Sequence, residues 1–136
     1  MEVENYVSFN IAQLLKEKRF NEICAGYYDR KGRFAMTLSK VNNIRWEGHY
    51  IEGNISAPTL QETIKWLREV HHIEILITCG FPSIDGVCQF KYFWHVVKVN
   101  LCDKRLEYPM DCLERVADTF ESACDSAIEF CLTNLI

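Results

Sequence analysis

Apolar and polar positions along the chain alternate between two periods, and the switches mark the elements. Val7, Ile11, Leu14 and Leu15 recur at helical spacing, and Ser8 can cap the turn before them, so a helix is expected over about 8–18. From Glu22 the period falls to two. Ile23, Ala25 and Tyr27 oppose Cys24, Gly26 and Tyr28, and Phe34, Met36 and Leu38 alternate with polar or small neighbours after the turn Asp29-Arg30-Lys31-Gly32. This is a β-hairpin pattern. Residues 42–56 read as an irregular connection with one edge strand, built around Ile44, Trp46 and Tyr50.

A second helix is expected to open at Ser56-Ala57-Pro58-Thr59, where proline suits a first helical turn. Leu60, Ile64, Leu67 and Val70 share its apolar face, and Trp66 falls on the flank, half-exposed. After His71-His72, Ile73, Ile75, Ile77 and Cys79 alternate as a strand. Residues 80–86 read as a loop. A long strand follows over about 88–99, with Phe90, Tyr92, Trp94 and Val96 on one face. Lys98 breaks that face, which predicts a β-bulge or a strand shared between two environments. Asp111 and Glu114 resemble a capping box for a last helix running to about 134, roughly 35 Å long.

The order is therefore α-β-β-α-β-β-α. It predicts one α+β domain over 1–136: a mainly antiparallel four-stranded sheet with helices packed on one face. An offset of 52 aligns Leu14-Leu15-Lys16-Glu17 with Trp66-Leu67-Arg68-Glu69 and Glu22-Ile23 with Glu74-Ile75, which points to an internal αββ duplication.

Composition narrows the class. The 136 residues are 49% hydrophobic and 25% charged, which excludes collagen-like, disordered and disulfide-scaffold chains. No run approaches the ~20 apolar residues of a membrane span, so no membrane partner is expected. The acidic start Met1-Glu2-Val3-Glu4-Asn5 lacks the signal-peptide pattern, which places the protein in the cytoplasm. The seven cysteines are odd in number and show no C-x-x-C spacing, so they read as reduced packing residues rather than metal ligands. The net charge is −4, and the acidity is concentrated after residue 100, where 3 Lys+Arg face 8 Asp+Glu. An acidic C-terminal quarter disfavours broad nucleic-acid binding.

Candidate chemistry is sparse. His71, His72 and His95 with Cys79 or Cys88 match no metal spacing and supply no nucleophile signature. Phosphate-cradling glycine loops and nucleophile elbows are absent, so neither a catalytic residue nor a cofactor is indicated. The acidic stripe of the last helix reads as a solvated face. Partner-binding candidates are Trp66 and Trp46, as aromatic contact residues, and Arg30, Lys31 and Arg33, as a basic hairpin tip.

Ile55-Ser56-Ala57-Pro58-Thr59-Leu60-Gln61, followed by Lys65-Trp66-Leu67-Arg68-Glu69-Val70-His71, resembles a pattern in small uncharacterised proteins of bacteriophages, prophages and mobile elements of gut bacteria. Lys18-Arg19-Phe20-Asn21-Glu22-Ile23-Cys24 with Tyr27-Tyr28 is similar to those proteins as well, although Glu17 stands where they carry a basic residue. The resemblance implies a mobile-element origin and brings no activity, ligand or site with it.

Three functions follow as expectations. The first is a non-enzymatic accessory module acting through protein contacts. The second is a nucleic-acid-associated protein using the basic tip and the aromatic sheet face. The third is a small Cys/His enzyme. Self-association through the last helix stays open beside them.

Overall fold

The first helix, α1 (Phe9–Glu17), begins where Ser8 Oγ accepts from the Ile11 amide at 3.3 Å. It ends in a Schellman pattern: the Phe20 amide donates to Leu15 O at 2.9 Å and that of Arg19 to Lys16 O at 3.1 Å. Arg19 takes the left-handed conformation, φ 64°, that glycine usually fills. The computed structural model describes residues 5–41, 53–109 and 115–136. They divide into two compact units, one reaching Thr63 and the other spanning Ile64–Leu135.

In the first unit, β1 (Cys24–Tyr28) and β2 (Phe34–Val41) form the expected hairpin, pairing Tyr28 with Phe34 and Gly26 with Met36. A third strand, β3 (Ile55–Ala57), pairs with the other side of β1, giving a three-stranded order β2-β1-β3. Gly26 is needed there, because a Cβ would stand 2.7 Å from Ala57 O. Val7, Ile11, Leu15, Phe20, Cys24 and Tyr28 are buried as this unit's core. The Tyr28 hydroxyl donates to Val7 O at 2.7 Å.

Because Ser56 and Ala57 belong to β3, the second helix opens later than expected. It runs as α2 (Leu60–His71), with Thr59 Oγ1 accepting from the Glu62 amide at 3.1 Å. Pro58 precedes the cap, and its carbonyl accepts from the Val7 amide. Strand pairing outcompetes the proline signal here. Of the 42–56 connection, Ile55 and Ser56 belong to β3, while Ile44, Trp46 and Tyr50, around which the edge strand is expected, lie outside the described residues.

The second unit is built on β4 (Ile73–Gly80) and β7 (Lys91–Asn100), antiparallel from Ile73↔Lys98 to Gly80↔Lys91 without a break. The expected bulge is therefore absent. The change of face arises because Val96 and Val97, on opposite sides of β7, are both buried. Between them β5 (Ser83–Ile84) and β6 (Val87–Cys88) continue the same register to Ile84↔Val87. Residues 80–86 are thus a hairpin tip rather than a loop. Asp85 (φ 52°) and Gly86 (φ 77°) both adopt positive φ, as a two-residue type I′ turn requires.

On the far side of β7 lie β8 (Arg105–Glu107) and β9 (Val116–Ala117), completing an antiparallel four-stranded sheet. The first hairpin sits in its own sheet. The fold is α+β, with a four-stranded antiparallel sheet. The last helix, α3 (Phe120–Asn134), starts nine residues after Asp111, because Val116 and Ala117 are drawn into pairing with β7. Thr119 Oγ1 caps it, accepting from the Ser122 amide at 3.0 Å. Asp111 and Glu114 lie outside the described residues. Its 15 residues span about 22 Å. Ala123, Cys124, Ala127 and Cys131 are fully buried, and these small side chains let α3 lie closely across β4 and β7.

Candidate interaction surface

The sheet face under α3 carries a line of aromatic rings that outruns its cover. Trp94 is buried, 5.7 Å from the Phe130 ring of α3. Two residues earlier on the same face, Tyr92 meets Phe120, the first residue of α3, at 6.2 Å. Beyond that point the helix has ended. Phe90 follows at 5.2 Å from Tyr92, and Phe81 lies across the hairpin at 5.3 Å from Phe90. Phe81 is 71% exposed and Phe90 46%. Ile84 and Val87, on the opposite face of the tip, are exposed too. Pairing of β4 with β7 below, of β5 with β6 above, and the Gln89 amide donating to Pro82 O between them hold this arm in place. Every residue over 81–90 is exposed or, for Pro82, half-buried.

The arm is almost uncharged. Between Gly80 and Phe90 the single ionisable carboxylate is Asp85, at the outermost turn, and Lys91 at its base pairs with Asp118. A surface of this kind lacks the cations that phosphates require. A carboxylate at the tip also opposes insertion into a bilayer. Its chemistry suits an apolar protein surface.

At the other end of the aromatic line, Arg115 is only 3% exposed. Its guanidinium lies over both rings of the Trp94–Phe130 pair, 4.7 Å from the Trp94 centroid and 4.9 Å from that of Phe130. Its carbonyl accepts from the Trp94 amide at 3.1 Å, while its Nε and Nη2 are buried with no hydrogen-bond partner among the described residues.

The residues singled out from sequence are dispersed. Trp66 is not half-exposed but buried, at 7%, with its ring edge-on to His71 at 4.6 Å. The flank of α2 is covered, which a helical wheel cannot show. Trp46 lies outside the described residues. Arg30, Lys31 and Arg33 do sit together, exposed, on the β1–β2 turn. Asp29 organises that turn: its carboxylate accepts from the Lys31 and Arg33 amides at 2.8 and 3.0 Å and from Arg33 Nε at 2.8 Å. These bonds, the Arg33 amide foremost, hold the Asp29 carboxyl below its ordinary range. Arg30 lies over Gly53, where a Cβ would stand 2.0 Å from its Cγ. Tyr28, next to this turn, packs in the core against Phe9 and Phe34 rather than beside these cations.

Among the described residues the histidines and cysteines do not converge, and no three His, Cys, Asp or Glu side chains are grouped to hold a metal. Burial holds His71 below its ordinary pKa, with Lys98 and His72 adding to the effect. Cys79 and Cys88 are exposed on one face of the hairpin, with the Phe81–Phe90 pair between them. Cys24, Cys124 and Cys131 are buried packing residues, their thiols pushed up from 9.0 to about 11, about 11 and about 12 by desolvation.

The sequence places Phe90 on the face of the long strand, but the loop reading of 80–86 hides Phe81 as its partner across the hairpin. The signal was present: Asp85-Gly86 between Ser-Ile and Val-Cys is a two-residue hairpin signature. Together these features define an α+β protein with an aromatic β-hairpin arm. No family model, curated protein or solved structure matches the chain.

Proposed function

We propose that this protein is a non-enzymatic interaction module that binds a partner protein through the exposed Phe81–Phe90 face of its β-hairpin arm. One observation carries the reading: the aromatic line that α3 covers at Trp94 and Tyr92 continues bare onto Phe90 and Phe81. Large apolar side chains held between two paired segments of one hairpin lose little further conformational freedom on binding. The partner is a protein surface with an apolar pocket for the two rings. An accessory role in a bacteriophage-like element rests on the resemblance of the 55–71 segment. A cytoplasmic location is supported by the six described cysteines, all free thiols. No helix among the described residues is long and apolar enough to cross a membrane.

The test compares tagged wild type with the Phe81→Ser/Phe90→Ser double variant in nuclease-treated lysate of the native host. A stoichiometric protein retained by the wild type and lost by the variant is the expected result. Equal retention by both would reject the arm. A partner lost on nuclease treatment, and on neutralising Arg30, Lys31 and Arg33, would establish the nucleic-acid reading instead.

A further inference from the structure

The open edge of the four-stranded sheet carries an inference independent of the arm's aromatic face. Among the described residues, β4 pairs with β7 alone. The Val99 amide donates to His72 O at 2.8 Å, so His72 and Val99 are a hydrogen-bonded pair in the register that continues through Ile73↔Lys98. Alternation then turns the backbone groups of Glu74, Leu76 and Thr78 toward β7, and those of Ile75, Ile77 and Cys79 away from it. The Trp94 amide, in the residue facing Ile77, accordingly points the other way, to Arg115 O.

Edge strands are ordinarily blunted by lysine, proline, a bulge or short length. β4 is eight residues long and pairs without a bulge. From Leu76 to Ile84 the chain has no charge, and its one proline, Pro82, falls at an inward-facing position, where its carbonyl accepts from the Gln89 amide. Leu76 is 47% exposed, and Thr78 and Cys79 are exposed beside it. The edge therefore offers outward amides and carbonyls and a β-prone uncharged sequence, with no guard among the described residues.

We propose that the occupant of this edge is a second copy of the chain, its β4 strand antiparallel to the first about a two-fold axis at Thr78. The sequence is complementary to itself in that register. Ile77 meets the partner's Cys79 as a hydrogen-bonded pair, and Thr78 meets its own counterpart, a favourable cross-strand combination. The two Glu74 carboxylates stay apart, each opposite the partner's Pro82, so the strand's one charge meets no like charge. With no charges along 76–84 there is no code to select a different chain. Isologous pairing of this kind closes at two copies.

The experiment uses the full chain in reducing buffer, so that Cys79 cannot cross-link. Sedimentation equilibrium is expected to give twice the 15.9 kDa chain mass at high concentration, falling toward one chain on dilution. Thr78→Lys sets two ammonium groups opposite each other and is expected to give one chain mass throughout, with an unchanged circular dichroism spectrum. Wild-type amide exchange adds a readout that needs no variant. The Ile75, Ile77 and Cys79 amides are expected to be protected at high concentration and to exchange freely on dilution, whereas those of Leu76 and Thr78 stay protected in both. A chain that sediments as a monomer at several hundred micromolar overturns the proposal. So does a folded Thr78→Lys variant that still dimerises, or outward amides whose protection ignores concentration. Phe90 lies on the inner strand of the hairpin, away from this edge, so Phe90→Ser alone separates loss of arm binding from loss of the dimer.

Discussion

At Gly26 the backbone of β1 comes so close to its neighbours that a methyl group has nowhere to go. A Cβ would meet Ala57 O at 2.7 Å, with the Phe34 and Tyr6 rings at 3.0 Å. The carbonyl belongs to a paired strand and cannot swing aside as a flexible side chain could. Gly26→Ala is expected to lower the unfolding free energy by about 1–3 kcal/mol, the usual range for overpacking. Urea denaturation measures it directly, and an unchanged midpoint would show that β3 can retreat. Trp66 and Arg115 carry the same lesson in the opposite direction. A helical wheel puts Trp66 on a flank, and a charged residue is expected in water, yet both are buried. Burial depends on what arrives from elsewhere in the chain, and no local pattern encodes that.

At the scale of elements, the β4–β7 hairpin is governed by its turn. Asp85 and Gly86 both sit at positive φ, and Gly86 has open space around the position of a Cβ. Adding one costs backbone strain alone, roughly 1 kcal/mol, with no clash to confuse the reading. Gly86→Ala is therefore expected to loosen the arm: exchange at the Gln89 amide, which donates to Pro82 O, quickens roughly fivefold. The melting temperature stays nearly constant, because 81–90 contributes nothing to the buried core. Equal exchange in both proteins would mean that the arm is held by more than its turn. The same turn shows how much was legible. Alternation identified both flanking strands, and the Asp-Gly signature between them specified the two-residue connection. Phe81, the partner of Phe90 across the hairpin, goes unnoticed only when that signature is read as a loop. The start of α3 is a different case. Asp111 and Glu114 resemble a cap, and what ends the strand-like stretch at Ala117 is pairing with Tyr92 and Phe93. Those partners are over twenty residues away in sequence.

Across the whole molecule, the buried thiols set a limit on alkaline stability. Cys24, Cys124 and Cys131 keep their protons in the fold until about pH 11 to 12, whereas in the unfolded chain they ionise near the ordinary 9.0. Above pH 9.0 the unfolded state therefore holds fewer protons than the native state, and stability falls as pH rises. Below that value these three groups contribute no pH dependence. The urea midpoint is expected to decline between pH 9.0 and about 11, with thiolate absorbance appearing only as the chain unfolds. At pH 8, maleimide should label Cys79, Cys88 and Cys102 in the native protein and spare the three buried thiols. A urea midpoint constant to pH 10.5, or early labelling of Cys131, would contradict this picture.

What the sequence determined by itself was local. The periods of the apolar positions placed α1, the β1–β2 hairpin, the body of α2 and the two long strands, because a helix or a strand must bury one side at its own repeat. The α+β class follows from that order of elements. Tertiary structure alone decided which strands share a sheet. β3 joined the first hairpin in a separate three-stranded sheet, while β8 and β9, two or three residues long and too short to show a period, completed the four-stranded one. Tertiary structure also decided where α3 stops covering the sheet, and so which of three successive aromatic positions on one face of the strand are core and which are surface. Phe90, Tyr92 and Trp94 are equivalent in pattern, and only the position of Phe120 separates them. Burial is a property of the partner a residue meets, and that partner is chosen by contacts distant in sequence.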